Sequence, residues 1–242
     1  MRALKRRLVA AWSELSEGLS AEGRAALLLA PVFLTFHRYW MLPSDFGRLF
    51  SGFKTHPLFD LYKYAWWYLG SGVFLCAVPY LIWRVVWKRR FRDFGARLGE
   101  PKEAQAALPA GAVMVAVAVA VSFVPDFQNK YPLLKDARTR LDLFLVYELL
   151  YGVYFFMWEF FFRGWMLRSL KRDFGAGSIW IQTIPFAVMH FGKPLPETLG
   201  AVPACLFLGW IAYRSGSFLY GWLLHWAVAF FMDVSASLQI HL

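Results

Sequence analysis

Long apolar runs, separated by short polar or basic stretches, make up most of the chain. A helix that crosses a bilayer needs about 20 mostly apolar residues. One run, at 25–42, is weaker because Pro31 and His37-Arg38 interrupt it, and it could instead form an interfacial helix. The stronger runs lie at 64–86, 110–124, 143–167, 179–191, 199–213 and 218–234. The pattern predicts an all-α fold, a polytopic helical membrane bundle of about seven transmembrane helices.

The composition supports lipid as the natural environment of this chain. Hydrophobic residues make up 59% of its 242 residues and charged residues 17%, against about 45–50% and about 25% in soluble domains. A domain of this size cannot bury so much apolar surface in water. A soluble enzyme, a disordered chain and a disulfide scaffold are therefore excluded. Cys76 and Cys205 both lie inside apolar runs, which predicts neither a disulfide framework nor a cysteine metal site.

The basic residues, which give the chain a net charge of +10, are concentrated in short clusters between the apolar runs. Such clusters are typical of cytoplasmic loops and of contact with anionic lipid. No basic face suited to nucleic acid is visible, so we expect no nucleic-acid partner. Seven spans would place all the basic segments on one side and the N-terminus in the cytoplasm. These segments are 1–24, 88–104, 168–173 and Arg214. We expect no removable signal peptide, because the basic N-terminus lacks a small-residue cleavage site.

Ionisable side chains are few within the predicted spans, where each costs about 2.5–3.5 kcal/mol at the bilayer centre. Such residues are therefore candidates for function. Glu159 and Arg163 are four residues apart, so they share a helical face and can pair. With His190 and His225, Glu159 falls within about 12 Å of membrane depth, so the three can converge. The structural alternative is an ion pair that only makes the span tolerable and histidines that only pack.

Four other charged residues carry weaker predictions. Asp233 lies two helical turns after the second histidine and could orient its ring, although we favour an ordinary charge at the outer end of the helix. Glu148 is expected near the outer surface, with a structural role. Lys193 and Glu197 lie in a short polar turn, where they could gate access.

Three motifs, in this order, resemble those of the CAAX protease and bacteriocin-processing family of intramembrane endopeptidases. That family carries Glu-Glu-x-x-x-Arg-Gly, then Phe-x-x-x-His, then His-x-x-x-Asn or Asp, on separate transmembrane helices. The matching positions here are Glu159, Arg163-Gly164, Phe186, His190 and His225. The resemblance covers about residues 142–235. It implies one integral membrane domain, with an N-terminal basic segment and the first membrane helices in 1–141 and a catalytic helical core in 142–242.

Two positions depart from the family pattern. Trp158 stands where the family has its first Glu, generally credited as the base, and Ala229 stands at the Asn or Asp of the third motif. Either the chain is a pseudoprotease, or Glu159 takes the base role and Asp233 replaces the missing polar partner. The retained Arg and His residues favour an active enzyme, because each is costly in lipid.

A narrower likeness concerns the bacterial branch called myxosortases. The single-Glu form, the segment Gly-Lys-Pro-Leu-Pro-Glu at 192–197 and the segment His-Trp-Ala-Val-Ala at 225–229 look like that branch. Its members are proposed to process proteins with a C-terminal tripartite sorting tail.

The resemblance implies a mechanism in which Glu159 removes a proton from a water molecule that attacks a peptide carbonyl. His190 and His225 would position the water and stabilise the oxyanion. Arg163 would tune Glu159 and hold its rotamer. Phe186 has a supporting position, as Asp233 does in the active interpretation.

No cofactor is favoured, but a divalent metal such as zinc stays open. Two histidines and a glutamate form a workable set of three zinc ligands. Glu159, His190 and His225 would be these ligands if a metal is present. Against this, the sequence lacks the His-Glu-x-x-His pair that marks zinc proteases.

These features together predict an intramembrane protease, with a glutamic mechanism favoured over a metalloprotease. Its partners would be the lipid bilayer and a membrane-anchored protein or peptide, with C-terminal sorting tails as one candidate substrate. A catalytically inactive scaffold that binds or escorts membrane proteins is the alternative, and Trp158 and Ala229 are its evidence. A small transporter is a third possibility, which no inverted repeat supports. The many alanines and arginines, together with the resemblance, indicate a protein of a bacterial inner membrane.

Overall fold

The computed structural model describes residues 2–239, and every regular element in that range is helical, as predicted. The elements are α1 (Arg2–Leu15), α2 (Ala21–Trp40), α3 (Pro43–Leu49), α4 (Phe59–Val86), α5 (Pro101–Val121), α6 (Pro125–Lys130), α7 (Leu141–Phe174), α8 (Gly177–Val188), α9 (Leu195–Ser215) and α10 (Leu219–Leu238). Short 3₁₀ turns lie at Ser51–Phe53, Phe91–Phe94 and Lys135–Arg138.

Five helices are long and apolar enough to cross a membrane: α4, α5, α7, α9 and α10. Helices α2 and α3 pass the same test together, although the chain bends by 55° between them. Pro31 and His37 do not interrupt α2, which continues to Trp40. Helix α8 is apolar but only 12 residues long. With α8 the described residues contain seven apolar elements, in agreement with the prediction, and the protein is an integral membrane protein.

The predicted basic segments meet at one end of the bundle. The Ser20 hydroxyl donates to the Asp173 carboxylate at 2.8 Å, next to the pair of Arg89 and Glu22 at 2.6 Å. The ammonium of Lys171 lies 3.8 Å from the centre of the Tyr213 ring, which brings the end of α9 to the same place. At the opposite end, Lys130 donates to the carbonyl of Gly192.

Helix α7 is the central helix of the bundle, and half of the residues in its most apolar stretch are buried. Its middle, Phe160–Met166, is wound as a π-helix, a local widening that is frequent at functional sites. The three phenylalanines between Glu159 and Arg163 are fully buried. They therefore pack against neighbouring helices and not against lipid. On the N-terminal half of α7, Tyr147, Tyr151 and Tyr154 pack against Tyr68 of α4.

Candidate active site

Only one of the two carboxylate oxygens of Glu159 makes hydrogen bonds among the described residues. Its Oε1 accepts hydrogen bonds from Arg163 Nη1 at 2.9 Å and from His225 Nδ1 at 2.7 Å. Its Oε2 is buried without a hydrogen-bond partner among the described residues. Glu159 and Arg163 are both fully buried, so the predicted pair forms out of contact with water.

Arg163 is stabilised by an aromatic ring as well as by Glu159. The centre of its guanidinium lies 4.3 Å from the centre of the Phe186 ring, a distance suited to a cation–π interaction. The same Phe186 ring lies 4.6 Å from the ring of His190 and 6.0 Å from that of His225. Phe186 therefore packs beside the ion pair and both histidines.

The hydrogen bonds of the two histidines decide which ring nitrogen each presents. His190 Nδ1 lies 2.8 Å from the carbonyl oxygen of Phe186. A carbonyl only accepts, so His190 carries its proton on Nδ1 and Nε2 has a free lone pair. His225 Nδ1 donates in the same way to Oε1 of Glu159, which also accepts from Arg163, and this leaves Nε2 of the ring as an acceptor too.

Two cavities meet at these histidines. The first, of about 440 Å³, is mostly apolar and lies between α5, α9 and α10. The second, of about 200 Å³, lies near the loops around Lys130 and Gly192. His190 and His225 line both cavities, whereas Glu159 lines neither. In this arrangement His225 lies between Glu159 and the space that a substrate could fill.

The predicted gate residues lie at this junction. Lys193 lines both cavities and pairs with Glu197 at 2.6 Å. The Tyr131 hydroxyl donates to the same carboxylate at 2.7 Å. Lys130, at the end of α6, has its pKa lowered by burial, against a smaller opposing effect of the Glu197 charge.

The prediction of an ordinary helix-end charge at Asp233 is wrong, because this side chain is buried beside Glu148. Asp233 is fully buried, with a relative exposure of 0%. It lies beside the Glu148 carboxyl and the Tyr147 hydroxyl. Glu148 is also buried and accepts a hydrogen bond from Trp226 Nε1 at 3.3 Å. The two carboxyl groups face each other because α7 and α10 are antiparallel neighbours here. Asp233 therefore does not take the place of a polar partner for His225, whose Nδ1 is bound to Glu159.

Two residues at the site, Gly221 and His37, were not singled out as site residues from the sequence. Gly221 packs over Glu159, and a methyl group at this position would lie 3.3 Å from Oε2. His37 is buried and lines the second cavity, as does Trp158, which replaces the first Glu of the family motif. The sequence around His37 does not indicate which residues it contacts, because those residues come from distant segments of the chain.

The zinc alternative depends on how closely the candidate ligands approach one another. Within residues 2–239, no group of three or more His, Cys, Asp or Glu side chains is gathered so that it could hold a metal ion. The Oε1 atom of Glu159 and the Nδ1 atoms of both histidines are already engaged in hydrogen bonds. Oε2 of Glu159 has no hydrogen-bond partner among the described residues, and Nε2 of each histidine is an acceptor, so the metal alternative stays a prediction.

Comparison with known proteins identifies the segment that carries this site. Residues 140–231 match a family model described as Type II CAAX prenyl endopeptidase Rce1-like. The matched segment contains Glu159, Arg163, His190 and His225, and it confirms the resemblance inferred from the motifs at the level of the family. No curated protein and no solved structure matched the chain. At the family level, the match indicates CAAX-type intramembrane endopeptidase activity.

Proposed function

Since residues 140–231 match a family of membrane endopeptidases, we propose that this protein cleaves a peptide bond of a membrane-anchored substrate within the bundle. The observation that carries the proposal is the chain of contacts from Arg163 to Glu159 to His225, which ends at the junction of the two cavities. A buried carboxylate that orients a histidine facing a cavity is an arrangement suited to activating water.

In the proposed reaction, Glu159 acts on the water through His225. The water donates its two hydrogens to Nε2 of His225 and Nε2 of His190, since both are acceptors. His225 takes one proton as the oxygen attacks the peptide carbonyl carbon, and the Glu159 carboxylate stabilises the resulting imidazolium. The same proton then passes to the leaving nitrogen as the C–N bond breaks, and the acid that forms gives its remaining proton to the amine, so the products are a carboxylate and an ammonium group. Direct proton removal by Glu159, as first expected, would require its Oε2 to become accessible.

The apolar first cavity supports a substrate with an apolar segment that approaches from within the bilayer. Its walls come from Val113, Val117 and Phe207, among other apolar side chains. We propose a C-terminal sorting tail as one such substrate and the bacterial inner membrane, with a cytoplasmic N-terminus, as the location. A prenylated C-terminus and a peptide leader are the competing substrate classes.

The test is a map of the N- and C-termini of membrane proteins in cells that carry the wild type, Glu159→Gln or Glu103→Gln. Glu103 pairs with Arg214 on the surface, so its variant serves as a matched control. We expect tails or leaders to accumulate uncut only with Glu159→Gln, which would also identify the substrate class. Identical maps at equal protein abundance would contradict the proposal and favour the inactive scaffold suggested by Trp158 and Ala229.

A chelator titration separates the glutamic mechanism from zinc catalysis. We propose that no metal takes part, and we expect cleavage by the purified protein to continue after treatment with a strong zinc chelator. Loss of cleavage that added zinc restores would instead assign Glu159, His190 and His225 as metal ligands.

A further inference from the structure

The second cavity has polar groups for which the proposed reaction gives no role. His37 is 1% exposed, and neither of its ring nitrogens has a hydrogen-bond partner among the described residues. The indole Nε1 of Trp158 is buried and equally without a partner. The two rings are neighbours, with 6.0 Å between their centres, and both line the cavity that contains His190 and His225. A buried polar atom left without a partner costs about 1–3 kcal/mol.

The proposed reaction also lacks a donor for the oxygen of the attacked carbonyl. Charge develops on this oxygen during attack, and a hydrogen-bond donor that is already in place stabilises it. The free Nε2 atoms of His190 and His225 are acceptors in the tautomers fixed by their hydrogen bonds. The Trp158 ring lies 6.4 Å from the His190 ring, centre to centre, and an indole N–H can only donate.

The rim of the same cavity is basic. Arg38, Lys130 and Lys193 all line it. Of the three, Lys193 is paired with Glu197. Lys130 donates to a main-chain carbonyl, and the carboxylate that acts on its charge is also Glu197, so three positive charges share one negative charge. A peptide that carries an acidic side chain would therefore complement this rim better than one that carries a basic side chain.

We propose that the second cavity is the subsite for the substrate main chain, in which Trp158 Nε1 donates to the attacked carbonyl and His37 binds the adjoining peptide group. The basic rim favours an acidic residue next to these peptide groups. The proposal rests on the proposed protease function, and it gives Trp158 a catalytic role at the position where the family has a glutamate.

Binding is tested first, without cleavage, in Glu159→Gln protein reconstituted into phosphatidylcholine vesicles. The probe is a fluorescein-labelled, C-terminally amidated peptide with an apolar anchor of leucine and alanine followed by Gly-Ser-Asp-Asp. A second probe ends in Gly-Ser-Lys-Lys. We expect the acidic probe to bind about tenfold more tightly, and His37→Phe and Trp158→Phe each to weaken its binding about tenfold, which corresponds to about 1.4 kcal/mol.

The controls separate binding from a structural role. His56 is an exposed histidine, so His56→Phe should leave the Kd unchanged, and His37→Gln should recover most of the binding lost in His37→Phe. If His37 is only a buried packing residue, His37→Phe will keep the wild-type Kd and raise the thermal stability, because it removes an unpartnered polar group. That result would overturn the role of His37, and equal binding of both probes would overturn that of the rim.

Activity on the substrate found by terminus mapping completes the test. We expect Trp158→Phe to lower kcat about 100-fold, the order of effect of removing one oxyanion donor, and His37→Phe mainly to raise KM. An unchanged kcat in Trp158→Phe would overturn its catalytic role. If the wild type cleaves nothing, the proposed function fails, whereas the Kd values in the Glu159→Gln protein still decide whether the cavity binds a peptide main chain.

Discussion

The smallest feature that controls the site is the missing side chain of Gly221. A methyl group there would lie 3.3 Å from Glu159 Oε2, closer than carbon and oxygen usually approach without displacement. Because the other carboxylate oxygen is bound to Arg163 and His225, any shift of Glu159 also moves the histidine.

We therefore expect Gly221→Ala to lower the cleavage rate about tenfold, the effect of about 1.4 kcal/mol on the barrier, with little change in protein abundance. Gly200→Ala is the matched control, since a methyl group at that helical glycine meets nothing within 4 Å. Wild-type activity in Gly221→Ala would show that the position of Glu159 is not critical. The measurement is the initial rate in proteoliposomes.

The buried ion pair of Glu159 and Arg163 leads to a prediction about stability. Both side chains are fully buried, and removal of one partner leaves an uncompensated charge that costs about 3–5 kcal/mol. We expect Arg163→Met alone to destabilise the protein by this amount, and the double variant with Glu159→Gln to recover most of it. Chemical unfolding in detergent measures both variants. Additive effects in the double variant would contradict the idea that the pair acts as a unit.

Between elements, the approach of α10 to α7 sets the distance from His225 to Glu159. At Gly152 the two helices nearly touch: Trp222 Nε1 donates to the Gly152 carbonyl at 2.8 Å. A methyl group on Gly152 would lie 2.7 Å from the Trp226 indole. An indole ring held between helices cannot move aside without moving α10.

We expect Gly152→Ala to destabilise the bundle by about 1–3 kcal/mol, as overpacking does in cores, and to lower activity by separating the helices. In Gly72→Ala the atoms nearest to the new methyl group belong to the flexible Met157 side chain, so this control should be tolerated. Thermal unfolding and cleavage rates are compared for both variants. Equal tolerance would mean that α10 can move without loss of the site.

Helix α7 also shows where sequence spacing is insufficient. The eleven residues between Glu148 and Glu159 place both on one stripe of a regular helix, but the spacing does not say what covers that stripe. The structure buries Glu148 against Asp233 and Trp226 of α10. Helical periodicity gives the direction of a side chain relative to its own helix, whereas the neighbour that covers it is set by the packing of other helices.

For the whole molecule, the cluster of basic segments at one end predicts the orientation in the membrane. The positive-inside rule places that end in the cytoplasm. We expect a cysteine at Ala176, in the turn between α7 and α8, to react with a membrane-impermeant maleimide only after the cells are opened. A cysteine at Asn129, near the opposite end, should react in intact cells. The background carries Cys76→Ala and Cys205→Ala, and reversed labelling would mean the opposite orientation.

The sequence by itself determined the fold class, the membrane environment and the family that the C-terminal core resembles. These depend on local quantities: the length of apolar runs, the sum of charges and the order of short motifs such as Glu159 with Arg163. It also indicated that Glu159, His190 and His225 could converge, because their depths along the helices follow from residue counts. Their catalytic roles stay predictions.

The tertiary structure decided which groups actually meet. It brought Asp233 beside Glu148 and His37 of α2 beside Trp158 of α7, and it placed His225 between Glu159 and the cavities. None of these contacts follows from spacing along one helix, because each depends on how far two distant helices rotate and approach as they pack. In lipid this packing is governed by close fit at small residues such as Gly152 and by interhelical hydrogen bonds, which the order of residues in one chain does not reveal.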